Sequence, residues 1–330
     1  MADFVTGATG CVGHRLVQKL LDAGRDLVLA VRNPASAATD PLFQSPSVRL
    51  VACDFTRPGW SASIEDSMRG CENVFHTAGE MPHRPSCRFN PQVLRQVNFE
   101  SVRTLYDLSR RAGIRRFLYV SSIGVYGDTY AMPLDETAPQ RPADDYSRTK
   151  VDAEHMLVSG AGSGGPAVSI VRPGLIYGDR DNGVIRKIMG LIDRGYFLIL
   201  GDGKNVRALS STTLLADVFL LQARRSHRCE ILNVIDPNLP TMNQLVQDIA
   251  ALLGVRPSRH LPLAVAYLPA AFFSVLAAVG LGTSFKLSDV RKLSSSTPLR
   301  IDRLRGVLGE VPDYYRSDLA SDVSWYRRWA

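Results

Sequence analysis

The sequence predicts an α/β fold, in which a doubly wound parallel sheet is followed by a smaller, mostly helical C-terminal part. Short apolar runs alternate with helix-like segments through the first half of the chain, which is the pattern of repeated βαβ units. A glycine-rich turn separates the first apolar run from the first helical segment, and the alternation becomes irregular from Pro173 onward. The 330 residues are enough to bury a sizeable core.

Each element follows from its own local pattern. Apolar runs bounded by turn residues predict strands at 4–6, 27–31, 48–52, 73–77, 116–121, 168–172 and 233–235. Apolar residues spaced by three or four positions predict helices at 13–23, 93–112, 146–157, 185–192 and 242–253. The stretch 159–165 is rich in glycine and serine and is predicted to be a loop.

Composition and charge exclude several classes of protein. The net charge is +7, but the arginines are scattered in pairs (110–111, 115–116 and 224–225) that we expect at solvated helix ends. No basic run suits a nucleic-acid-binding tail, so no nucleic-acid partner is expected. The five cysteines lack metal-binding spacing, which predicts free thiols in the cytoplasm and no metal site. The first strand follows Met1 so closely that no signal peptide is expected.

A glycine-rich turn, Thr6-Gly7-Ala8-Thr9-Gly10-Cys11-Val12-Gly13, follows the first strand and opens the first helix. Glycine permits the tight turn and lets backbone N–H groups at the helix N-terminus approach a pyrophosphate. This placement between a strand and a helix is what a dinucleotide site of the Rossmann type requires. The alternative is a tight turn that binds no ligand.

Tyr146 and Lys150 lie four residues apart on a predicted helix, so their side chains share one face. A free phenol is a poor base because its pKa is near ~10, and a neighbouring ammonium group favours the phenolate. Ser122, at the end of strand five, would hydrogen-bond a substrate oxygen. Together these side chains predict proton transfer to or from a carbinol while a nicotinamide exchanges hydride.

These motifs, with the segment Ser121-Ser122-Ile123-Gly124-Val125-Tyr126-Gly127, resemble the extended branch of the short-chain dehydrogenase/reductase superfamily. That branch includes NAD(P)-dependent sugar epimerases and dehydratases and the 3β-hydroxysteroid dehydrogenase-like and dihydroflavonol reductase-like enzymes. The resemblance covers nearly the whole chain and implies a Rossmann-type cofactor domain. It implies that Ser122 rather than Ser121 is the catalytic serine, that Tyr146 is the acid/base, and that Lys150 binds the nicotinamide ribose.

The resemblance also implies which residues surround the cofactor. Besides Tyr146 and Lys150, they are Gly7, Thr9, Gly10, Cys11, Val12, Gly13, Arg32, Asp54, Phe55, Thr77, Ala78, Gly79, Asn98 and Pro173. Asp54 matches an acid against the adenine amino group, and Asn98 matches an asparagine that holds the active-site architecture. Strand two ends in Arg32 where NAD-dependent enzymes usually carry a carboxylate. Because a guanidinium suits a 2′-phosphate, NADP is expected and NAD is the alternative.

Two departures from the family and two similarities bear on the reaction. Dehydratases of this branch carry an Asp-Glu pair after the serine, where this chain has Ile123 and Gly124. Epimerases carry a diphosphate-binding asparagine where this chain has Leu175, although Arg207 stands where they place a phosphate-binding arginine. The apolar stretch 261–282 and the segment 201–205 are similar to the 3β-hydroxysteroid dehydrogenase-like group.

We therefore expect an NADP-dependent oxidoreductase that interconverts a secondary alcohol and a ketone on an apolar small molecule, with Leu175 and Arg207 at the substrate site. A nucleotide-sugar epimerase with tightly bound NAD(P) and a cofactor-binding regulator without turnover are the alternatives. Residues 1–172 and about 205–235 are expected to form the cofactor domain, and residues 173–204 and about 236–330 the substrate domain. A homodimer is expected only by analogy with the family.

Residues 261–281 contain no charged side chain, and by length alone they could span a bilayer. Pro262, Pro269 and Gly280 oppose one continuous helix. We expect two short apolar helices that cover the substrate. A segment on the membrane surface and a true span are the alternatives, although an interrupted span would leave backbone groups without partners in lipid.

Overall fold

The computed structural model describes residues 2–82, 87, 90, 92–127, 133–267 and 294–329. Seven strands form one large sheet: β1 Ala2–Thr6, β2 Asp26–Val31, β3 Val48–Ala52, β4 Cys71–His76, β5 Arg116–Val120, β6 Ala167–Pro173 and β10 Cys229–Val234. Their order is β10-β6-β5-β4-β1-β2-β3, and every pair is parallel. The seven predicted strands are confirmed, although β10 begins at Cys229 rather than at Asn233.

Four shorter strands lie outside this sheet. They are β7 Leu175–Tyr177, β8 Leu198–Leu200, β9 Leu209–Ser211 and β11 Arg259–Leu261, and they pair as β7 with β9 and β8 with β11. Each of the four has three residues, and none of them was predicted. The division of the chain into two domains stays a prediction.

Helices cover both faces of the large sheet, which confirms the doubly wound α/β fold. The helices of the described residues, including those of the C-terminal part that do not lie on this sheet, are Cys11–Asp22, Pro34–Ala37, Trp60–Met68, Gln92–Arg95, Ser101–Arg111, Asp145–Gly162, Val184–Asp193, Thr212–Gln222, Met242–Leu253, Asp302–Leu308 and Tyr315–Trp329. One apolar core lies under the first helix and Thr212–Gln222, and another lies under Ser101–Arg111 and Asp145–Gly162. A third core joins the helices of the C-terminal part.

The strand order places a crevice at one edge of the sheet. From β1 the chain continues outward to β2 and β3, then crosses back to β4 on the other side of β1 and continues to β5 and β6. The connections that follow β1 and β4 therefore diverge, and they leave a crevice outside the carboxyl ends of these strands.

The predicted loop at 159–165 is wrong in its first half, because the helix Asp145–Gly162 continues through it. Two of its four glycines, Gly160 and Gly165, are required for close packing. A Cβ on Gly160 would lie 2.4 Å from Cε1 of Tyr106, and a Cβ on Gly165 would lie 2.4 Å from the Tyr106 hydroxyl. The helix predicted at 93–112 is also interrupted, because Gln96–Glu100 forms a π-helical turn.

Among the described residues, the structure contains no helix that is both long enough and apolar enough to cross a membrane. The uncharged stretch 261–281 begins in β11 with Leu261, and residues 263–267 are helical. The rest of it, 268–281, lies outside the described residues, and so does the predicted pair of covering helices.

Candidate functional site

A cavity of about 720 Å³ occupies the crevice at the carboxyl edge of the sheet. One side, which we call the glycine-turn wall, consists of residues 7–13, 32, 54–55 and 77–79 from the turns after β1 to β4. The opposite side, which we call the loop wall, consists of residues 80–81, 175–176 and 182–184. Ser122, Tyr146, Lys150 and Pro173 also line the cavity.

The glycine-turn wall has no room for side chains at two of its glycines. Gly7 has a φ of +74°, and a Cβ there would lie 2.5 Å from the backbone nitrogen of Ala78. A Cβ on Gly13 would lie 2.1 Å from the carbonyl oxygen of Gly7. Gly10 is the N-cap of the helix Cys11–Asp22 and provides no side-chain cap. The first N–H groups of this helix face the cavity, where they can bind an anion. This arrangement fits a dinucleotide pyrophosphate.

The far end of this wall carries two charges of opposite sign. Arg32 is exposed at the end of β2, and Asp54 follows β3. Oδ1 of Asp54 accepts hydrogen bonds from the backbone nitrogen and the hydroxyl of Thr56, at 3.0 and 2.7 Å. Burial opposes ionisation, but these bonds and the charges of Arg32 and Arg57 hold the pKa of Asp54 below its usual range. The wall therefore offers one carboxylate acceptor and one exposed guanidinium.

Tyr146, Lys150 and Ser122 meet between the two walls. Tyr146 and Lys150 lie on the helix Asp145–Gly162, whose first turn is capped by a 2.8 Å hydrogen bond from the backbone nitrogen of Ser147 to Asp144. Nζ of Lys150 lies 5.8 Å from the centroid of the Tyr146 ring and donates a 2.9 Å hydrogen bond to the carbonyl oxygen of Val120. A hydrogen bond joins Tyr146 to Ser122.

Burial dominates the ionisation of this group. It raises the pKa of Tyr146 to about 12, and the hydrogen bond with Ser122 opposes only part of that rise. Burial also lowers the pKa of Lys150 to about 8, against the charge of Glu154. The expectation that Lys150 would bring the Tyr146 pKa below its ordinary value is therefore wrong for the protein alone. The phenol is held protonated at neutral pH.

Ser121 and Ser122 are neighbours in sequence but have different partners. The Ser121 hydroxyl donates a 2.5 Å hydrogen bond to Glu154, whose carboxylate forms a buried ion pair with Arg172 at 2.6 Å. The Ser122 hydroxyl instead accepts a 3.1 Å hydrogen bond from the Gly124 nitrogen and bonds Tyr146. Ser121 is therefore tied into the core, whereas Ser122 is placed beside the phenol, although both line the cavity.

Asn98 lies behind the cavity rather than on its wall. It sits in the π-helical turn, and its amide group binds the backbone of Glu80 twice, accepting from the nitrogen at 2.8 Å and donating to the oxygen at 2.9 Å. A Cβ on Gly79 would lie 3.6 Å from Oδ1 of Asn98 and 3.7 Å from Nζ of Lys150. Asn98 thus fixes the turn after β4 beside Lys150.

The loop wall is largely apolar. Leu175 and Ile176 belong to β7, which is held by a 2.8 Å hydrogen bond from the Leu175 nitrogen to the Ala208 carbonyl, and Met81 and Val184 also line the cavity. Arg207, the other predicted substrate residue, does not line it, and its guanidinium donates to the Ser295 carbonyl at 3.5 Å. The structure brings Leu175 to the cavity but not Arg207.

Several lining residues were not predicted, chiefly Glu80, Met81 and the segment 180–184. Arg180 is the non-glycine residue with positive φ, at +68°, among those the structure describes. Its guanidinium pairs with Asp40 and lies 4.9 Å from the centroid of the Trp325 ring. Only the Asp-Arg-Asp-Asn-Gly sequence at 179–183 hints at a turn here, and it gives no indication of what the turn faces.

No group of three or more His, Cys, Asp or Glu side chains that could hold a metal ion occurs in the described part of the chain. The polar groups around the cavity are instead those of an organic cofactor site. Backbone N–H groups, two arginines (Arg32 and Arg180), three acidic residues (Asp54, Glu80 and Asp181) and the Ser122–Tyr146–Lys150 group surround a single volume.

Residues 4–234 match the model of the NAD dependent epimerase/dehydratase family. Sterol demethylase protein B of Methylococcus capsulatus is 29% identical, over 99% of this chain and 98% of that protein. The 3-beta-hydroxysteroid dehydrogenase of Mycolicibacterium neoaurum is 29% identical over 62% of this chain and 55% of that protein. The solved structure of MoeE5 in complex with UDP-glucuronic acid and NAD is 25% identical, with a TM-score of 0.77 over 100% of both chains.

The glycine turn, the Tyr146–Lys150 pair and all but the first two residues of the seven-stranded sheet lie within the matched residues. The match covers more than half of the chain, and the chain belongs to the NAD-dependent epimerase/dehydratase family of enzymes, the extended short-chain dehydrogenases/reductases.

Proposed function

We propose that the protein is an NADP-dependent oxidoreductase that interconverts a secondary alcohol and a ketone on an apolar small molecule. The observation that carries this proposal is the position of the Ser122–Tyr146–Lys150 group between a glycine turn that fits a pyrophosphate and a largely apolar loop wall. When bound, the nicotinamide supplies or accepts the hydride. The side chains of this protein handle the proton and the substrate oxygen.

Tyr146 is the proton donor for ketone reduction. Its pKa, raised to about 12 by burial, keeps the proton on the phenol at neutral pH, ready for transfer to the developing alkoxide. Ser122, hydrogen-bonded to the phenol, holds the same oxygen. Lys150, whose pKa is lowered to about 8, remains close enough to stabilise the phenolate that the transfer leaves. In alcohol oxidation the phenolate must form first. Oxidation is therefore favoured at higher pH.

NADP is proposed over NAD because of the charge at the end of β2. Arg32 is exposed at the cavity and can reach a 2′-phosphate, to which a guanidinium can donate two hydrogen bonds. The carboxylate at this end, Asp54, is already engaged by Thr56 and follows β3 rather than β2. NAD remains the alternative, and it is the cofactor in the MoeE5 structure.

An apolar substrate is proposed because of the loop wall. Leu175, Ile176 and Met81 offer no donor for a diphosphate, and burying an unpaired phosphate charge against them is costly. Burying apolar surface there gains about ~25 cal/mol per Å². Two relatives carry names that refer to sterols or steroids, which supports a ring-fused substrate.

The epimerase alternative is supported by the UDP-glucuronic acid in the MoeE5 structure. It requires a cation that faces the substrate diphosphate. Arg207 is directed to Ser295, and Arg180, which does line the cavity, is paired with Asp40. A regulator without turnover is the least favoured function, because the Ser122–Tyr146–Lys150 group is complete.

The experiment is a titration of the NADP-loaded protein, first with UDP and then with a sterol-like ketone, followed by an assay of NADPH oxidation with the ketone. We expect ketone-dependent oxidation of NADPH and no saturable UDP binding. Micromolar UDP binding that is lost in Arg207→Ala and kept in Arg256→Ala would support the epimerase. If no ketone or alcohol in a broad panel turned over, the oxidoreductase proposal would be wrong.

A further inference from the structure

A second cavity, of about 390 Å³, lies at the opposite edge of the sheet. It opens where β5 and β6 begin, and four arginines line it together with residues 113–114 and 164–167: Arg110, Arg115, Arg116 and Arg228. The sequence predicts the pairs 110–111 and 115–116 as solvated helix ends. The structure confirms an exposed helix end for Arg110 and Arg111. It corrects the second pair, because Arg116 is buried at the start of β5, and Arg110, Arg115 and Arg116 converge on one volume.

The positive charge of this cavity is only partly compensated. Arg115 donates a 2.8 Å hydrogen bond to Glu72, which also accepts one from Arg25 at 2.9 Å. The guanidinium of Arg116 donates through Nε and Nη2 to a backbone carbonyl, at 3.0 and 2.5 Å, and it shares the negative charge of Glu72 with Arg25 and Arg115. Arg110 and Arg228 have no side-chain acceptor among the described residues, and no acidic residue lines the cavity.

The floor of the cavity is rigid. Arg116 is only 9% exposed and is held by its two bonds to the Arg225 carbonyl. The Tyr106 hydroxyl donates a 3.1 Å hydrogen bond to the Pro166 carbonyl, and the contact of Tyr106 with Gly165 leaves no room for a Cβ. The fixed guanidinium at the floor is preorganised for an anion, because it loses little side-chain freedom on binding. The two uncompensated guanidinium groups at the rim are exposed and add positive charge.

We infer that this second cavity binds a small dissolved anion that carries phosphate groups, at a site separate from the catalytic cavity. Guanidinium groups match phosphate oxygens in pairs, and four of them around one volume create a strong positive potential. The five residues of β5 separate Arg116 from the serines at its other end by about 16 Å. One ligand therefore cannot fill both cavities.

Inorganic pyrophosphate is the probe, titrated calorimetrically into the protein with and without saturating NADP⁺. The test variant is Arg110→Gln with Arg228→Gln. The control variant is Arg194→Gln with Arg256→Gln, which removes the same charge from exposed arginines outside the cavity. We expect saturable binding that persists with NADP⁺, weakens at least about tenfold in the test variant, and changes less than about twofold in the control.

Thermal unfolding of both variants is measured first, to check that each of them folds. Equal weakening in test and control variants would mean a diffuse charge effect and would overturn the inference. If NADP⁺ abolishes the binding of pyrophosphate, the probe binds at the glycine turn, and this result would also overturn the inference. Vesicles of phosphatidylglycerol and of phosphatidylcholine complete the experiment. Arginine-dependent binding to the anionic vesicles without binding of pyrophosphate would overturn the inference in favour of a membrane surface.

Discussion

The two walls of the catalytic cavity are built by different means. The glycine-turn wall is set by backbone contacts, such as the approach of Gly13 to the carbonyl of Gly7, and it contains few side chains that could vary without a clash. The loop wall is formed by side chains of three segments that lie far apart in the sequence: 80–81, 175–176 and 182–184. A backbone wall suits a ligand common to a whole family, whereas a side-chain wall can be altered residue by residue to change the substrate.

The largest expected effect comes from the group between the walls. Tyr146→Phe should reduce turnover by about 100-fold or more while cofactor affinity is unchanged, because only the transferable proton is removed. Steady-state assays and NADPH fluorescence titrations measure the two quantities. Tyr196→Phe, at a residue that is 74% exposed, is the control. Turnover near that of the wild type in Tyr146→Phe would exclude this tyrosine as the proton donor.

The next effect tests the charged end of the glycine-turn wall. Arg32→Asp should reverse the cofactor preference, with NADP(H) binding weakened by about tenfold or more, because a charge-assisted pair is replaced by a repulsion. Dissociation constants for NADP(H) and NAD(H) are compared on both proteins. Arg69→Asp, an exposed site paired with Asp66, is the control. If the wild type binds NAD(H) as tightly as NADP(H), the assignment of NADP is wrong.

Lys150 gives a prediction about pH and stability. Its folded pKa of about 8 lies below the unfolded value of 10.5, so between these values the unfolded chain binds more protons than the folded one. The free energy of unfolding should therefore gain up to about 1.4 kcal/mol per pH unit from this residue as pH rises from 8 towards 10.5.

Urea unfolding of the wild type and of Lys150→Met across that range measures this contribution. The free energy of unfolding of the wild type should increase relative to that of Lys150→Met as pH rises. Lys187→Met, at an exposed position, should show no such change relative to the wild type. A constant difference would mean that Lys150 is not desolvated as the structure indicates.

The smallest effect concerns the loop wall. Leu175→Asn should lower kcat/KM for an apolar ketone by about fivefold, since roughly 1 kcal/mol of apolar contact is lost, and it should improve UDP binding. Leu191→Asn, on the exposed side of the helix Val184–Asp193, is the control. An unchanged kcat/KM would show that substrate does not touch this wall.

The sequence predicted the glycine-turn wall well because its requirements are local. Gly7, Gly10 and Gly13 are read from one short turn, and Tyr146 and Lys150 from one helix turn. Glu80 and Arg180 could not be predicted, because turns at strand ends have no periodicity that shows which way a side chain points. The helix Thr212–Gln222 was missed for another reason: it is buried nearly all round, so it has no polar face to reveal its period.

The start of the helix Thr212–Gln222 is supported from a distant part of the chain. The backbone nitrogen and the hydroxyl of Thr213 donate to Asp318 at 3.0 and 2.8 Å. The carboxylate at this helix start is thus supplied by the helix Tyr315–Trp329, more than a hundred residues away in the sequence. Its negative charge still stabilises the N-terminus of Thr212–Gln222.

The buried pair of Arg172 and Glu154 has a consequence for biosynthesis. Arg172 also donates a 2.8 Å hydrogen bond to the Tyr126 hydroxyl, which in turn donates to Asn233 in β10 at 2.7 Å. As the chain leaves the ribosome, the helix that carries Tyr146 emerges long before β10 does. A nascent chain that ends before Asn233 leaves this buried network open beside Tyr146, so the reactive centre gains its final geometry late in translation, after most of the cofactor wall has emerged.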